Sequence, residues 1–140
     1  MSGYSNASLK RLETCHSDLQ LLFKEVINYC DNIVLIGYRG EEEQNQAVLE
    51  GRSKLKFPLS NHNSLPSMAV DIAPYPVDWN NTKSFYYFAG FVKGIAEKLL
   101  KEGTISHKIR WGGDWDSDND FKDNTFNDLV HFELVPIKAN

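Results

Sequence analysis

The sequence has only two cysteines, Cys15 and Cys30. That is too few for a disulfide framework, and neither CxxC spacing nor a flanking positive cluster suggests redox work. Both lie in a segment of helical, apolar pattern, where buried free thiols are expected. Long apolar runs are also missing. The longest aliphatic run is Ile33 to Ile36, far short of the roughly 20 residues of a membrane-spanning helix. The opening MSGYSNASLKRLET lacks the apolar stretch of a signal peptide, so no export address and no membrane insertion are expected. Positive charge is not in excess. Net charge is −4 and the pI is near 5.5, which argues against a dedicated nucleic-acid binder while leaving room for a local basic pocket. There is no internal repeat, low-complexity tract or linker.

What remains is ordinary for a globular chain: 140 residues, 41% hydrophobic and 24% charged. That length fits one domain, residues 1–140, able to bury about two-thirds of its unfolded surface. Leu19, Leu22, Phe23, Val26, Ile27 and Cys30 recur at helical spacing within Ser8–Cys30, with a fresh N-cap signal at Ser17–Asp18. Ile33–Gly37 reads as a buried strand and Glu41–Leu49 as a short helix stopped by Gly51. Arg52–Trp79 holds four of the five prolines and reads as irregular, with a short strand at Met68–Ile72. Such long irregular segments are commonly functional. Phe85, Phe88, Ala89, Val92, Ile95, Ala96 and Leu99 form a helical stripe within Lys83–Leu100. The aromatic cluster Phe85–Phe88 is expected in the core rather than in a binding box. Ile109–Trp111 and Leu129–Val135 read as strands. The expected fold class is α+β, with helices packed on a small, mainly antiparallel sheet.

Four histidines are present, His16, His62, His107 and His131. His16 and His107 are expected to be bystanders. Taken singly, His62 is a loop side chain, Asp71 a turn former and His131 a core histidine. Together, two imidazoles and one carboxylate suit a catalytic zinc ion that keeps its fourth position for water. The residual charge of about one lowers the pKa of that water and polarises a carbonyl. A peptidase also needs a base that is not a ligand. Residues three apart on a strand face opposite ways, so Asp128 joins His131 only where the strand turns or bulges. Glu133, two residues on, shares the face of His131 and can hydrogen-bond it.

The elements Ser60-x-His62, Ala69-x-Asp71 and Asp128-x-x-His131-x-Glu133-Leu134 resemble the zinc site of phage-type L-alanyl-D-glutamate peptidases. These are endolysins related to D-alanyl-D-alanine carboxypeptidases. Gly37-Tyr38-Arg39, Asp78-Trp79 and Arg110-Trp111-Gly112-Gly113-Asp114-Trp115 extend the likeness along most of the chain. The resemblance implies that His62, Asp71 and His131 hold Zn2+ and that Asp128 is the catalytic base. It makes Arg39 a candidate for binding a substrate carboxylate or the oxyanion, a task that suits its planar fork. The sequence departs from the family pattern at one place. Eight residues, Asn63 to Val70, separate histidine from aspartate where six including a glycine are usual, so a different loop path is expected. The related carboxypeptidases have Glu-x-x-His where this chain has Asp128-x-x-His131, which favours the endopeptidase.

Asp114, Asp116, Asp118 and Asp120 alternate as in positions 1, 3, 5 and 7 of a calcium loop, with Asn119 at the usual glycine and Thr125 at position 12. A solvated acidic loop and a Ca2+ site are both open readings. The expected function is hydrolysis of the L-alanyl-D-glutamate bond of peptidoglycan by a monomeric phage endolysin. Such an enzyme waits in the host bacterial cytoplasm for a separate pore, and a wall-binding module without activity is the alternative from another class.

Overall fold

The elements follow one another as α1 (Asn6–Leu12), α2 (Ser17–Val26), β1 (Asn32–Ile36), α3 (Glu41–Leu49), a 3₁₀ turn (Asn61–Asn63), β2 (Ala69–Pro74), α4 (Thr82–Lys101), β3 (Lys108–Gly112) and β4 (Asp128–Val135). They come from a computed structural model that describes residues 3–120 and 127–137. Among these residues no helix is long and apolar enough to cross a membrane.

The N-terminal segment is two helices because its middle pairs with Ser67, just ahead of β2. His16 N–H donates to the Ser67 carbonyl and Ser67 N–H to the Thr14 carbonyl, which takes residues 14–16 out of helical register. The cap lies one residue earlier than the Ser17 signal suggests. Nδ1 of His16 accepts the Asp18 N–H at 3.0 Å, doing what a serine hydroxyl does at other helix starts. The expected strand at Met68–Ile72 begins and ends later, at Ala69–Pro74. The expected helices at 41–49 and 83–100 stand, and left-handed glycines, Gly51 and Gly103, follow them. Cys15 is buried and Cys30 half-buried, both as free thiols.

The sheet is antiparallel throughout, in the order β1-β2-β4-β3. Strand alternation sorts its two faces. Val70, Ile72, Phe132 and Leu134 turn to one side and form a core with Leu19, Leu22, Phe23 and Val26 of α2 and Phe88, Ala89 and Val92 of α4. Phe132 meets Phe23 and Phe88 edge-on. The aromatic cluster of α4 is thus divided: Phe85 and Phe88 are buried, whereas Tyr87 is exposed. Asp71, His131 and Glu133 occupy the alternate positions and so face the other way. Asp71 lies directly opposite His131 on neighbouring strands.

The end of β4 is irregular. Trp111 pairs with Phe132, but the next residue, Gly112, pairs with Asp128. One step along β3 therefore matches four along β4, and the surplus residues bulge. Gly112 permits this: a Cβ there would lie 2.1 Å from the Asp128 carbonyl oxygen. Gly112→Ala is expected to cost about 2 kcal/mol or more through backbone displacement and to shift Asp128. Urea unfolding checks the first effect and peptidase assay the second; an unchanged unfolding midpoint would show that the bulge does not depend on the missing side chain.

Candidate active site

Three donor atoms converge on the polar face of the sheet. Nε2 of His62 lies 3.0 Å from Oδ1 of Asp71 and 3.2 Å from Nδ1 of His131, and Nδ1 of His131 lies 3.3 Å from the same carboxylate oxygen. All three residues are buried. His62 arrives from the 3₁₀ turn, whose start is tied by a reciprocal cap between Ser60 and Asn63. The long 63–70 loop still brings its imidazole to the sheet, so His62 is no exposed loop side chain.

The opposite nitrogens set the tautomers. Nδ1–H of His62 donates to the Gly37 carbonyl at 2.7 Å, and Nε2–H of His131 donates to Oε1 of Glu133 at 2.6 Å. Each ring then turns a lone pair, not a proton, toward Asp71. Three electron-rich atoms in contact and out of water need a cation among them. Tetrahedral bonds of 2.0–2.1 Å place ligand atoms roughly 3.3 Å apart, close to the spacing found. The donor set therefore fits a divalent metal ion. Without one, a proton takes its part: burial opposes the charged form of His131, but its bonds to Asp71 and Glu133 push its pKa up to about 10. Burial likewise raises Asp71, yet the two histidines hold it far below the ordinary carboxylate range.

Around this triangle the polar groups are closely tied. Glu133 accepts from Nε of Arg110 at 2.9 Å and also from its Nη2. Burial opposes its charge, but these bonds and His131 draw its pKa down to about 2. Arg39 is buried, with Nη2 3.6 Å from Oδ2 of Asp71 and Nη1 donating to Gln44 at 3.0 Å. Gln44, fully enclosed in α3, also donates to the Leu55 carbonyl at 2.6 Å and to Ser53. Asn63 donates to the Arg39 carbonyl and to Gln44. Sequence reading missed Gln44 and Asn63, whose polar character alone did not distinguish them from surface residues. It noted Arg110 and Trp115 only as part of a motif; the Trp115 ring lies 5.3 Å from that of His131.

The bulge brings Asp128 to the same side, with Oδ2 3.9 Å from Nδ1 of His131. Its pKa is raised to about 6 by burial first and by the negative charge of Asp71 second. Asp128, His62, His131, Arg39 and Arg110 line a cleft of about 450 Å³, together with Arg52, Lys54 and Trp115.

Two other clusters of metal-binding residue types occur among the described residues. In one, Asp18 accepts from Nδ1–H of His107 at 2.7 Å and from Ser106 N–H at 2.9 Å, which ties α2 to the start of β3. His16 and His107 are thus structural fasteners rather than bystanders. The other joins Asp114, Asp116 and Asp118, whose carboxylate oxygens lie within 4.8 Å of one another. Asp114 is fully buried; its Oδ2 accepts Asn119 N–H at 2.8 Å, whereas Oδ1 has no hydrogen-bond partner. Asn119 is left-handed, φ 63°, as its calcium-loop position requires. Thr125 lies outside the described residues.

An α+β domain with a buried His–Asp–His triangle and a carboxylate beside it in a cleft has the groups of a metal-dependent hydrolase. The chain belongs to the phage L-alanyl-D-glutamate peptidase family, whose sequence pattern matches residues 1–135. It is 30% identical over 141 aligned positions to the L-alanyl-D-glutamate peptidase of Escherichia phage T5, covering 94% of this chain and 97% of that one. Its fold is similar to the crystal structure of Serratia marcescens L-Ala D-Glu endopeptidase ChiX: TM-score 0.69 and 24% identity, over 94% of this chain and 89% of the other.

Glu133→Gln would loosen the ring of His131 and weaken its lone pair. Divalent-metal affinity, measured by chelator competition, is expected to fall roughly 10- to 100-fold; unchanged affinity would remove Glu133 from the centre.

Proposed function

We propose that this chain hydrolyses the L-alanyl-D-glutamate bond of peptidoglycan stem peptides, as a single catalytic domain of residues 1–140 acting as a monomer. His62, Asp71 and His131 would hold a zinc ion. Two imidazoles with one carboxylate suit zinc, and four-coordination leaves a position open. Bound there, it would supply Lewis acidity toward a carbonyl and a water. The remaining work falls to side chains. Asp128 takes the proton of the attacking water and passes it to the leaving amine, a role helped by a pKa nearer neutrality than an ordinary aspartate. Arg39 sits on the far oxygen of Asp71, where its guanidinium faces the charge that develops on the carbonyl oxygen. Glu133, held by Arg110, keeps the His131 tautomer fixed.

The observation that carries this reading is the placing of Asp128 beside the triangle without joining it, in a chain of this family. The cleft wall supports the substrate class. Arg39, Arg52, Lys54 and Arg110 line it beside Asp128 and Glu133. Although Arg39, Arg52 and Arg110 also pair with Asp71, Glu50 and Glu133, the lining keeps a formal positive balance on a molecule of net charge −4, suited to peptides bearing free carboxylates. The enzyme would reach the wall after a separate pore releases it from the host cytoplasm.

Asp128→Asn is expected to lose at least about a hundredfold in kcat on defined muropeptides while still binding wall fragments. Undiminished lysis would overturn the mechanism. Release of terminal D-alanine with the L-Ala–D-Glu bond intact would instead favour a carboxypeptidase. In the wild type, kcat/KM should fall on the acid side as Asp128 takes up its proton. The limb should lie at or below pH 6, because a divalent cation nearby favours the carboxylate. Chelation should abolish activity and zinc restore it.

The loop beginning at Asp114 we assign to Ca2+. Its support is the buried, unpartnered Oδ1 of Asp114 together with the 114, 116, 118 spacing and the left-handed Asn119. Calcium should raise the melting temperature of the wild type, and Asp114→Asn should remove that rise; an equal rise in both would exclude the site.

A further inference from the structure

A second cavity adjoins the first. It measures about 250 Å³ and is lined by Trp79, Thr82, Phe85, Asp128, Leu129 and Val130. Asp128 lines both cavities, so they lie on either side of the proposed base. Their walls differ in kind: the first is strongly charged, with four cationic side chains and two carboxylates, and the second is mainly aromatic and aliphatic.

Trp79 has the features of a platform. It is 62% exposed, a costly placement for so large an apolar surface. Yet it is not loose. One face stacks on Phe85, with centroids 5.5 Å apart and planes 24° from parallel, and Phe85 is 2% exposed at the start of α4. Its backbone is held in an Asx turn, in which Asn80 N–H donates to Oδ1 of Asp78 at 3.0 Å. The other face of the indole is left to solvent beside the cavity. A fixed, exposed aromatic face offers a negative quadrupole surface to weakly positive C–H groups. A pyranose ring presents such C–H groups on its flat side and hydroxyls around its edge, and the Thr82 side chain lies at the rim.

The chemistry of the substrate supplies a ring at the right place. On the reading that the L-alanyl-D-glutamate bond is cut, the acyl side carries alanine and then the lactyl ether of muramic acid. Two extended units span roughly 7 Å, so the sugar must sit within one cavity's width of the scissile carbon. The amine side carries the free carboxylates and has its match in the cationic cleft.

We propose that Trp79 and the cavity beside it are a saccharide subsite that stacks the muramic acid ring of the substrate. The stem peptide then runs from this subsite across Asp128 into the cationic cleft. Trp79 is a binding and specificity residue, remote from the reacting atoms.

The test uses the metal-loaded full chain and two substrates sharing one peptide, N-acetylmuramoyl-L-Ala-D-Glu-diaminopimelate and its sugar-free N-lactoyl counterpart. The wild type is expected to show a KM roughly tenfold lower for the muramoyl substrate, at similar kcat. Trp79→Ala should erase that difference by raising the muramoyl KM alone, and Trp79→Phe should keep most of it. Equal wild-type KM values, or equal losses on both substrates in Trp79→Ala, would overturn the subsite while leaving the peptidase reading intact. Cleavage of neither substrate by the wild type would overturn the peptidase reading itself, and the subsite with it. A measurement without any variant guards against a folding defect. The indole N–H resonance of Trp79 should shift on titration with N-acetylmuramic acid, and a resonance that stays still would also overturn the proposal.

Discussion

Two imidazole lone pairs and a carboxylate oxygen, buried within 3.0–3.3 Å of one another, repel unless a positive charge joins them. The rest of the site is arranged around that demand. The Gly37 carbonyl and Glu133 take up the protons of the outer ring nitrogens, so the inner nitrogens have only lone pairs to offer. Arg110 keeps Glu133 ionised, and Arg39 answers the second oxygen of Asp71. Removing Glu133 would leave the His131 ring N–H without its partner in a buried site, which costs far more than an exposed contact.

The scaffold meets the demand by splitting one sheet between two solvents. Val70, Ile72, Phe132 and Leu134 enter the hydrophobic core, while Asp71, His131 and Glu133 occupy the alternate positions on the polar face. A rigid, well-packed core beneath thus holds donor atoms whose spacing must be kept within a few tenths of an ångström. The bulge in β4 is the exception that chemistry requires. A regular strand would have sent Asp128 to the face away from His131; the surplus residues opposite Gly112 bring it back. Electrostatics is divided in a similar way. Four cationic side chains and two carboxylates, Asp128 and Glu133, line the cleft, a positive balance within a molecule that is negative as a whole.

The fold was largely legible in the sequence because its elements are amphipathic. The stripe from Phe85 to Leu99 and the apolar run from Ile33 to Ile36 report burial through period alone. The break between α1 and α2 was only half legible. Its cause is hydrogen bonding to Ser67, some 50 residues away in the chain, and local propensity carries no record of such a partner. His107 looked idle for the same reason: its partner, Asp18, meets it only through the tertiary fold, whereas His16 caps α2 locally.

At the site, residue types allowed a metal set that the family resemblance singled out, and strand spacing by itself put Glu133 on the face of His131 and required a bulge for Asp128 to join them. These follow from strand geometry and donor chemistry, which are local. Only the tertiary structure decided that the long loop returns His62 to the sheet, that Gln44 and Asn63 hold Arg39, and that Trp79 lines a cavity that shares Asp128 with the cleft. Those are meetings between residues far apart in sequence. They depend on how whole elements pack, and no local pattern encodes the distance between two elements.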